Sequence, residues 1–401
     1  MVSEEPIPYP FSEPDRLNLD PAYARVRDGA GLVRVQLPFG RPAWLATRYE
    51  DVKTVLGDPR FSRAQAVGKG DEPSLIPFGP GPDTIVAMDP PEHTRLRRVV
   101  AKAFTMRRID SLRPWVQRIV DELLDDMEKH GSPIDLVESF ARPQPGMTIF
   151  ELMGIPYEDR PKVQRWTDIA LSTLSAGYTR AEVLEAAANI RVYLAEQLEI
   201  RRNEPKDDLL GVLVSARDEH DRLTEQEMVN LGVAVVVTGN ETTADQITNF
   251  TYLLLTHPEH LQQLRDDPSL VPQAVEEMLR YTPLLAGTSF PRVAMEDVKL
   301  GEVLVKAGDA VLPSMMSANR DERVFANPDV LDFHRKDNPH LGTGHGVHRC
   351  LGAQMAKMEL EIAISSLLRR FPKLRLAGSA QDVVFRKGTL QRAPQELMIA
   401  W

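Results

Sequence analysis

The feature that most constrains the fold is a long apolar segment that begins after Thr224 and ends before His257-Pro258. Thr224 and Glu227 form a T-x-x-E pattern, which is typical of a capping box at a helix N-terminus. A helix from Glu225 to about Thr256 is long enough to cross a whole domain. Its middle, 231–237, is apolar on every side, which indicates a buried helix. The chain must therefore surround this helix with other elements.

The rest of the pattern predicts a mainly α protein with minor β structure. Residues 32–46 alternate apolar and polar around a Phe-Gly-Arg-Pro turn, which indicates a β-hairpin. The chain contains no internal repeat and no linker, so we expect one domain over residues 1–401. Other predicted elements are a short helix at 48–57, a mostly helical stretch from Pro90 to about Phe371, a helix opened by Pro272, a helix over 353–370 and short strands within 374–401.

Two segments are predicted to lack regular structure. Residues 1–20 are acidic and rich in proline, so we expect an extended N-terminal segment and no signal peptide. Residues 62–87 are rich in glycine, proline and charge, which predicts a mobile loop. The sequence contains no run of about 20 apolar residues, so it predicts no membrane span. The net charge of −10 argues against nucleic-acid binding. We expect a cytoplasmic monomer.

Polar residues interrupt the long helix at 238–243 (TGNETT). A glycine and polar side chains are unfavourable in the middle of a buried helix, and such unfavourable residues tend to mark functional sites. The alternative is an exposed Glu241 beside a Thr242 that bonds its own helix backbone. This segment alone does not decide between the two.

Cys350 is the only cysteine of the chain. One cysteine excludes an intrachain disulfide and a cysteine-based zinc or iron–sulfur site. A lone cysteine is most often a buried, inert thiol. Here, however, glycines at 342, 344 and 346 precede it, and Gly352 follows at the start of a helix, where backbone N–H groups stabilise a thiolate. A single thiolate suits the axial position of a haem iron.

The cysteine segment resembles the F-x-x-G-x-x-x-C-x-G loop of the cytochrome P450 family. Thr343 stands where that family usually has phenylalanine. The matching residues, including two that match the bacterial version, are Gly344, Gly346, His348, Cys350 and Gly352. The resemblance implies haem b between the long central helix and this loop, with the Cys350 thiolate on the iron and Gly344 and Gly352 beside the cofactor.

A second motif is Glu277 and Arg280, which resemble the family's E-x-x-R. Residues at i and i+3 of a helix share a face and can pair. Taken alone, such a pair is usually a surface salt bridge. The resemblance adds Arg335 as a third member and implies a structural trio on the cysteine side of the haem.

A third motif, MDPPEHTRLR at 88–97, resembles a bacterial P450 segment that contacts the haem propionates. His93 and Arg97 are four residues apart, so they share one helix face. Arg292 and His348 match the other propionate partners of the family. Arginine suits carboxylates because it can bind them with two parallel hydrogen bonds.

The interrupted segment of the central helix resembles the family's A/G-G-x-D/E-T-T, although Thr238 departs from it. The resemblance implies a monooxygenase that inserts one oxygen atom from O₂ into its substrate. Glu241 and Thr242 would then relay protons. By the family's layout, the pocket would be lined by 62–87, 171–178, 234–238, 284–288 and 390–391. The substrate-binding candidates are Ala234, Thr238, Leu285, Ala286 and Leu390.

These pocket segments are mostly apolar or small, which favours a medium or large apolar secondary metabolite of the macrolide or cyclic-peptide type. The chain has no flavin motif and no iron–sulfur cysteine set, so the resemblance implies electrons from a ferredoxin and its reductase. Cations that would form a basic patch for the ferredoxin are Arg97, Arg98, Lys102, Arg107, Arg108 and Arg349.

Two other functions stay open at this point. One is oxidative coupling of an aromatic substrate at the haem, without oxygen insertion. The other is a non-catalytic haem protein that binds a gas. The Glu241–Thr242 pair argues against the second, because a gas carrier needs no proton delivery.

Overall fold

The computed structural model describes residues 5–75, 81–171, 178–218, 223–285, 287, 290–387 and 389–401. Within them the helices are α1 Pro21–Asp28, α2 Tyr49–Gly57, α3 Glu92–Val100, α4 Met106–His130, α5 Pro143–Met153, α6 Arg160–Leu171, α7 Arg180–Asn203, α8 Leu209–Asp218, α9 Glu225–Thr256, α10 Pro258–Asp266, α11 Val271–Tyr281, α12 Met315–Ala318 and α13 Ala353–Arg370. The strands are β1 Ile7–Pro8, β2 Leu32–Gln36, β3 Ala43–Ala46, β4 Phe61–Ser62, β5 Ile134–Asp135, β6 Arg292–Ala294, β7 Val298–Leu300, β8 Val303–Val305, β9 Ala310–Pro313, β10 Arg375–Leu376 and β11 Met398–Ala400.

Helix α9 is the predicted central helix, and its capping box is confirmed. The Glu227 N–H donates to the Thr224 hydroxyl at 3.2 Å, and the Thr224 N–H donates to the Glu227 carboxylate at 2.8 Å. The helix packs against α5, α7 and α13. At Gly239 a Cβ would lie 2.4 Å from the Ile149 Cδ1 atom. The glycine therefore allows α5 to approach the centre of α9.

The predicted hairpin at 32–46 is confirmed as β2 and β3, which pair antiparallel with Leu32 opposite Ala46. These strands belong to a six-stranded sheet of order β1-β2-β3-β9-β6-β4. Parallel pairing of β3 with β9 places Trp44 beside Val311. The sheet thus joins the N-terminal part of the chain to residues 292–313.

Residues 292–313 correct one sequence expectation, because the mostly helical stretch from Pro90 to Phe371 contains β6 to β9. Short runs such as Val303–Val305 alternate buried and exposed residues, as a half-buried strand does. Gly301 and Gly308 turn the chain between these strands with φ of 53° and 88°. Runs of three residues are too short to stand out in a helical pattern.

The predicted loop at 62–87 contains the end of β4 and short 3-10 turns at Ala64–Ala66 and Ile85–Ala87, whereas the other predicted helices and strands agree with the structure. Helix α2 covers the predicted 48–57, α11 begins one residue before Pro272, and α13 spans 353–370. Strands β10 and β11 of the C-terminal segment pair with each other and with β5. The fold is mainly α with minor β. Among the described residues, no helix is long and apolar enough to cross a membrane.

Candidate active site

A cavity of about 950 Å³ lies between α9 and the loop before α13. Thr242, Thr243 and Gln246 of α9 line it, and so does Cys350. Many residues of the predicted loop at 62–87 line it as well, but 76–80 lie outside the described residues. Large apolar side chains of the wall include Leu37, Leu56, Leu75, Val86, Leu284, Leu285, Phe290, Leu312 and Leu390.

The loop before α13 is folded tightly so that Cys350 faces this cavity. The Cys350 N–H donates to the Thr343 carbonyl at 2.8 Å. Gly344 and Gly346 have φ of 81° and 69°, a region that favours glycine. At Gly346 a Cβ would also lie 2.4 Å from the Leu56 carbonyl oxygen. The glycines are therefore needed for the turn and for close contact with α2.

The thiol of Cys350 is accessible from the cavity although protein surrounds it. Burial raises the pKa of the Cys350 thiol, while the Gly352 N–H, Arg97 and Arg349 each lower it. A bound metal ion deprotonates a coordinating thiol outright. In the part of the chain that the structure describes, no group of three or more His, Cys, Asp or Glu side chains could hold a metal ion. The thiol therefore suits a cofactor that brings its other ligands with it.

Histidines and arginines from three segments meet near the thiol. His93 and Arg97 lie on α3, and Arg292 lies on β6. The ring centroids of His93 and His348 are 4.2 Å apart. Arg97 donates to the Arg349 carbonyl, next to the cysteine. The four side chains that the sequence assigned to the haem propionates are thus close together.

Arg63 is a fifth member that the sequence analysis missed. It follows β4, is 2% exposed and lines the cavity. Its guanidinium lies 4.4 Å from the Phe290 ring centroid, and it donates to the carbonyls of Val86 and Pro291 at 2.9 and 3.1 Å. No motif marks this arginine, because its neighbours come from distant parts of the chain.

The cluster carries more positive charge than its surroundings balance. Burial and then Arg292 lower the pKa of Arg63 to about 9, and burial lowers that of Arg292 to about 10. Burial, followed by nearby arginines, lowers the pKa of His93 to about 4 and that of His348 to about 3. Three buried atoms of this cluster have no hydrogen-bond partner within the described residues: Arg63 Nη2, His93 Nδ1 and His348 Nε2. The donors fit an anionic group such as the two carboxylates of haem.

One face of α9 carries threonines at intervals of four residues. The Thr242 hydroxyl donates to the Thr238 carbonyl at 3.0 Å, and the Thr238 hydroxyl donates to the Ala234 carbonyl at 2.7 Å. A hydroxyl that donates to its own helix keeps its oxygen free to accept from the cavity. Thr242 is the member of this series that lines the cavity.

Glu241 is held by Arg386, with 2.9 Å between Oε1 and Nη1. The other terminal nitrogen, Nη2, lies against the Oδ1 atom of Asp245. Glu241 is not on the cavity wall formed by the described residues, whereas Thr242 is. Neither Arg386 nor Asp245 was predicted from the sequence. Asp245 lies four residues after Glu241, so helical spacing alone places it on the same face.

Arg386 belongs to the hairpin 385–394, of which the structure describes residues 385–387 and 389–394. The Arg386 N–H donates to the Ala393 carbonyl at 2.9 Å, and Phe385 pairs with Pro394. Leu390 of the same hairpin lines the cavity. The hairpin thus reaches both the cavity wall and the carboxylates of α9.

Glu277 of α11 is 1% exposed and contacts both predicted partners. Its oxygens lie 2.7 and 2.8 Å from nitrogens of Arg280 and 3.1 Å from Nε of Arg335. Arg280 also donates to the carbonyls of Asn319, Pro328 and Val330. The trio therefore fixes the segment that leads to the cysteine loop.

The substrate-binding candidates fall into three groups. Leu285 and Leu390 line the cavity. Ala234 and Thr238 lie on the Thr242 face of α9, up to two turns before it, and are not on the wall formed by the described residues. Ala286 lies outside the described residues, as do Thr288 and 172–177 of the predicted pocket segments.

Comparisons with known proteins agree with this arrangement. The cytochrome P450 family model matches residues 148–398. The chain is 49% identical to nocardicin C N-oxygenase of Nocardia uniformis subsp. tsuyamanensis over 98% of both chains. It is 45% identical to mycinamicin IV hydroxylase/epoxidase of Micromonospora griseorubida over 100% of both. The LnmA cytochrome P450 hydroxylase of the leinamycin pathway of Streptomyces atroolivaceus S-140 superposes with a TM-score of 0.92 at 49% identity, covering 98% of this chain and 100% of that one.

The chain belongs to the cytochrome P450 family. It is a haem-thiolate monooxygenase, as its bacterial relatives are. The family and the cofactor inferred from the cysteine loop are thereby confirmed.

Proposed function

We propose that this P450 inserts one oxygen atom from O₂ into a C–H or C=C bond of a medium or large, mostly apolar secondary metabolite of the macrolide or cyclic-peptide type. The observation that carries the proposal is the cavity of about 950 Å³, which joins Cys350 and Thr242 within a largely apolar wall. A relative named for action on mycinamicin IV supports the substrate class.

Cys350 would hold the haem iron, and Arg63, His93, Arg97, Arg292 and His348 would hold its carboxylates. When bound, haem supplies the activation of O₂, which no side chain provides. The Cys350 thiolate would donate electron density to this group and so tune its reactivity. Because the cavity wall is mostly apolar, protons must arrive through particular side chains. Thr242 presents a hydroxyl to the cavity. Glu241, the residue before it in the chain, supplies the proton.

The mass of the product tests this function. Purified holoenzyme with a ferredoxin and its reductase would be screened against macrolides and cyclic peptides under ¹⁸O₂. We expect a product with one ¹⁸O atom. A product that has only lost hydrogens would instead assign the reaction to oxidative coupling, and no turnover of any macrolide or cyclic peptide would contradict the proposed substrate class.

Thr242→Ala is expected to leave haem and substrate bound but to lower product formed per NADPH about tenfold or more, since positioned proton transfer contributes about 10² or more. The oxygen consumed should then appear as hydrogen peroxide. Parallel assays of NADPH, peroxide and product measure this. Thr248→Ala is the matched control, because Thr248 makes the same bond to a carbonyl four residues earlier, at 3.0 Å, without lining the cavity. Equal coupling in both variants would contradict the assignment.

We also propose that a ferredoxin and its reductase in the cytoplasm supply the electrons. Arg98, Lys102, Arg107 and Arg349 are exposed near the cysteine loop, with exposed Met106 and Val347 among them. Gly352, which follows Cys350, lies beside Phe104 of this surface. Two side chains of the predicted patch already have partners within the protein. Arg97 donates to the main-chain carbonyl of Arg349, and Arg108 forms an ion pair with Asp207. The four exposed cations suit an acidic partner.

Replacing Arg98 and Arg107 together by glutamine is expected to raise the KM for ferredoxin about tenfold at low salt, because charge steers the encounter. The difference in KM between wild type and variant should shrink at about 1 M salt, where the Debye length falls to about 3 Å. Lys299→Gln, an exposed cation on β7, serves as control. A KM that is unchanged at low salt would place the docking surface elsewhere.

A further inference from the structure

One group of charged side chains is used neither by the haem-binding cluster nor by the Glu277 trio. It consists of Glu241 and Asp245 on α9 and Arg386 on the hairpin 385–394. Glu241 and Asp245 are one helical turn apart, and both contact the same guanidinium. Asp245 is 7% exposed, and its Oδ2 atom has no hydrogen-bond partner within the described residues.

We propose that Asp245 and Arg386 are positioning residues that hold a proton in reserve for Glu241. Glu241, Asp245 and Arg386 then form a three-residue proton store behind Thr242. The inference rests on the proposed function, because it assumes that Glu241 supplies protons to the cavity.

The charges of the group favour one bound proton. With both carboxylates ionised, the three side chains sum to one negative charge in a mostly buried place, which is costly. Burial raises the pKa of Asp245 to about 7, with Glu241 adding to the rise and Arg386 opposing it. A proton on Asp245 leaves one carboxylate and one guanidinium, which neutralise each other.

The other charged groups around this store are Arg142, Glu138 and Asp168. Arg142 lowers the pKa of Asp245, and it pairs with Glu138 at 2.6 Å. Burial raises the pKa of Asp168, and Glu241 is among the groups that contribute. These groups lie on the turn before α5 and on α6, and they act on the store through their charge.

The position of Glu241 explains why a store is needed. Arg386 donates to the Glu241 carboxyl, so Glu241 in this arrangement accepts a hydrogen bond and does not face Thr242 as a proton donor. Transfer of the Asp245 proton to Glu241 neutralises the Glu241 carboxyl and leaves Asp245 ionised and paired with Arg386. A neutral Glu241 is attracted less strongly to the guanidinium, so it can turn to the Thr242 hydroxyl. Solvent then returns a proton to Asp245, whose side chain is 10% exposed.

The first test is an infrared pH titration of the holoprotein, which needs no turnover. Wild type should show the carbonyl stretch of a carboxylic acid that disappears with a midpoint near pH 7. Asp245→Asn should remove this band. Glu359→Gln is the matched control, because Glu359 is a second buried acid, whose pKa burial raises to about 8. It should remove a different band and leave the first in place.

The second test is the pH dependence of product formed per NADPH. Asp245 is protonated below its pKa, so coupling in wild type should be higher below about pH 7 than above it. Asp245→Asn should lower coupling about tenfold and flatten this step, because an amide cannot release a proton. Arg386→Lys, which keeps the charge, should retain the step but shift its midpoint. Thermal unfolding checks that each variant is folded.

The outcomes separate the two proposals. If Asp245→Asn keeps the infrared band and the pH step while wild type oxygenates a substrate, the proton store is wrong and the proposed function stands. If the band is absent from wild type, the store is wrong whatever the enzyme oxidises. If the band titrates as expected but no substrate is oxygenated, the proposed function is wrong, and the proposal that Asp245 holds a proton stands.

Discussion

Cys350→Ala is expected to abolish the thiolate-type spectrum of the reduced CO complex, with complete loss of product formation. The chain has one cysteine, so no other thiol can replace it. The carboxylate-binding side chains stay in place in this variant. Some haem will therefore still bind, but with a spectrum that lacks thiolate character, and total haem content should fall less than the CO signal does.

The measurement compares haem content with the reduced CO-difference spectrum in the same sample. Thr343→Ala is the control, because Thr343 bonds the Cys350 N–H through its main-chain carbonyl, which the substitution keeps. That variant should retain the thiolate-type spectrum. A thiolate-type spectrum in Cys350→Ala would show that another residue holds the iron.

Glu277→Gln is expected to lower the free energy of unfolding by about 3–5 kcal/mol, since breaking a buried ion pair leaves an uncompensated charge. Arg280 is 1% exposed, and both it and Arg335 would lose their carboxylate. The Asp332 N–H, which donates to Glu277 at 3.0 Å, would lose an anionic acceptor too. The yield of haem-loaded protein should fall accordingly.

Glu276→Gln is the matched control, one residue earlier on the same helix. Its carboxylate pairs with His340 at 2.8 Å and with Lys357, but its side chain is 35% exposed. His340, followed by Lys357, lowers the pKa of Glu276 to about 2 despite partial burial. Solvent screening limits the cost of its loss to about 1 kcal/mol. Urea unfolding of both variants gives the comparison, and equal losses would contradict a special role for the trio.

Elements with strong local signals were predictable from the sequence. The capping box of α9 needs residues only three positions apart, and both of its hydrogen bonds are present. The glycines before Cys350 likewise predicted a local turn, and Gly344 and Gly346 have positive φ. Where the physics is contained in a few consecutive residues, the sequence pattern was sufficient.

Features that depend on distant parts of the chain were not predictable in this way. Arg386 meets Glu241 across 145 positions, and no spacing rule connects them. Arg63 reaches Pro291 across 228 positions for the same reason. Strands β6 to β9 were missed because they are short and gain stability from partners such as β3. Tertiary contacts, rather than local preference, determine these features.

The hairpin 385–394 has a consequence for how the enzyme can change during evolution. Leu390 shapes the space for the substrate, while Arg386 on the same hairpin binds the carboxylates of α9. A substitution at Leu390 that makes room for a new substrate can also move the part of the hairpin that carries Arg386. Variants selected for new substrates at 389–391 should therefore often waste reducing equivalents, and second substitutions that restore efficiency should accumulate around α9 rather than in the pocket.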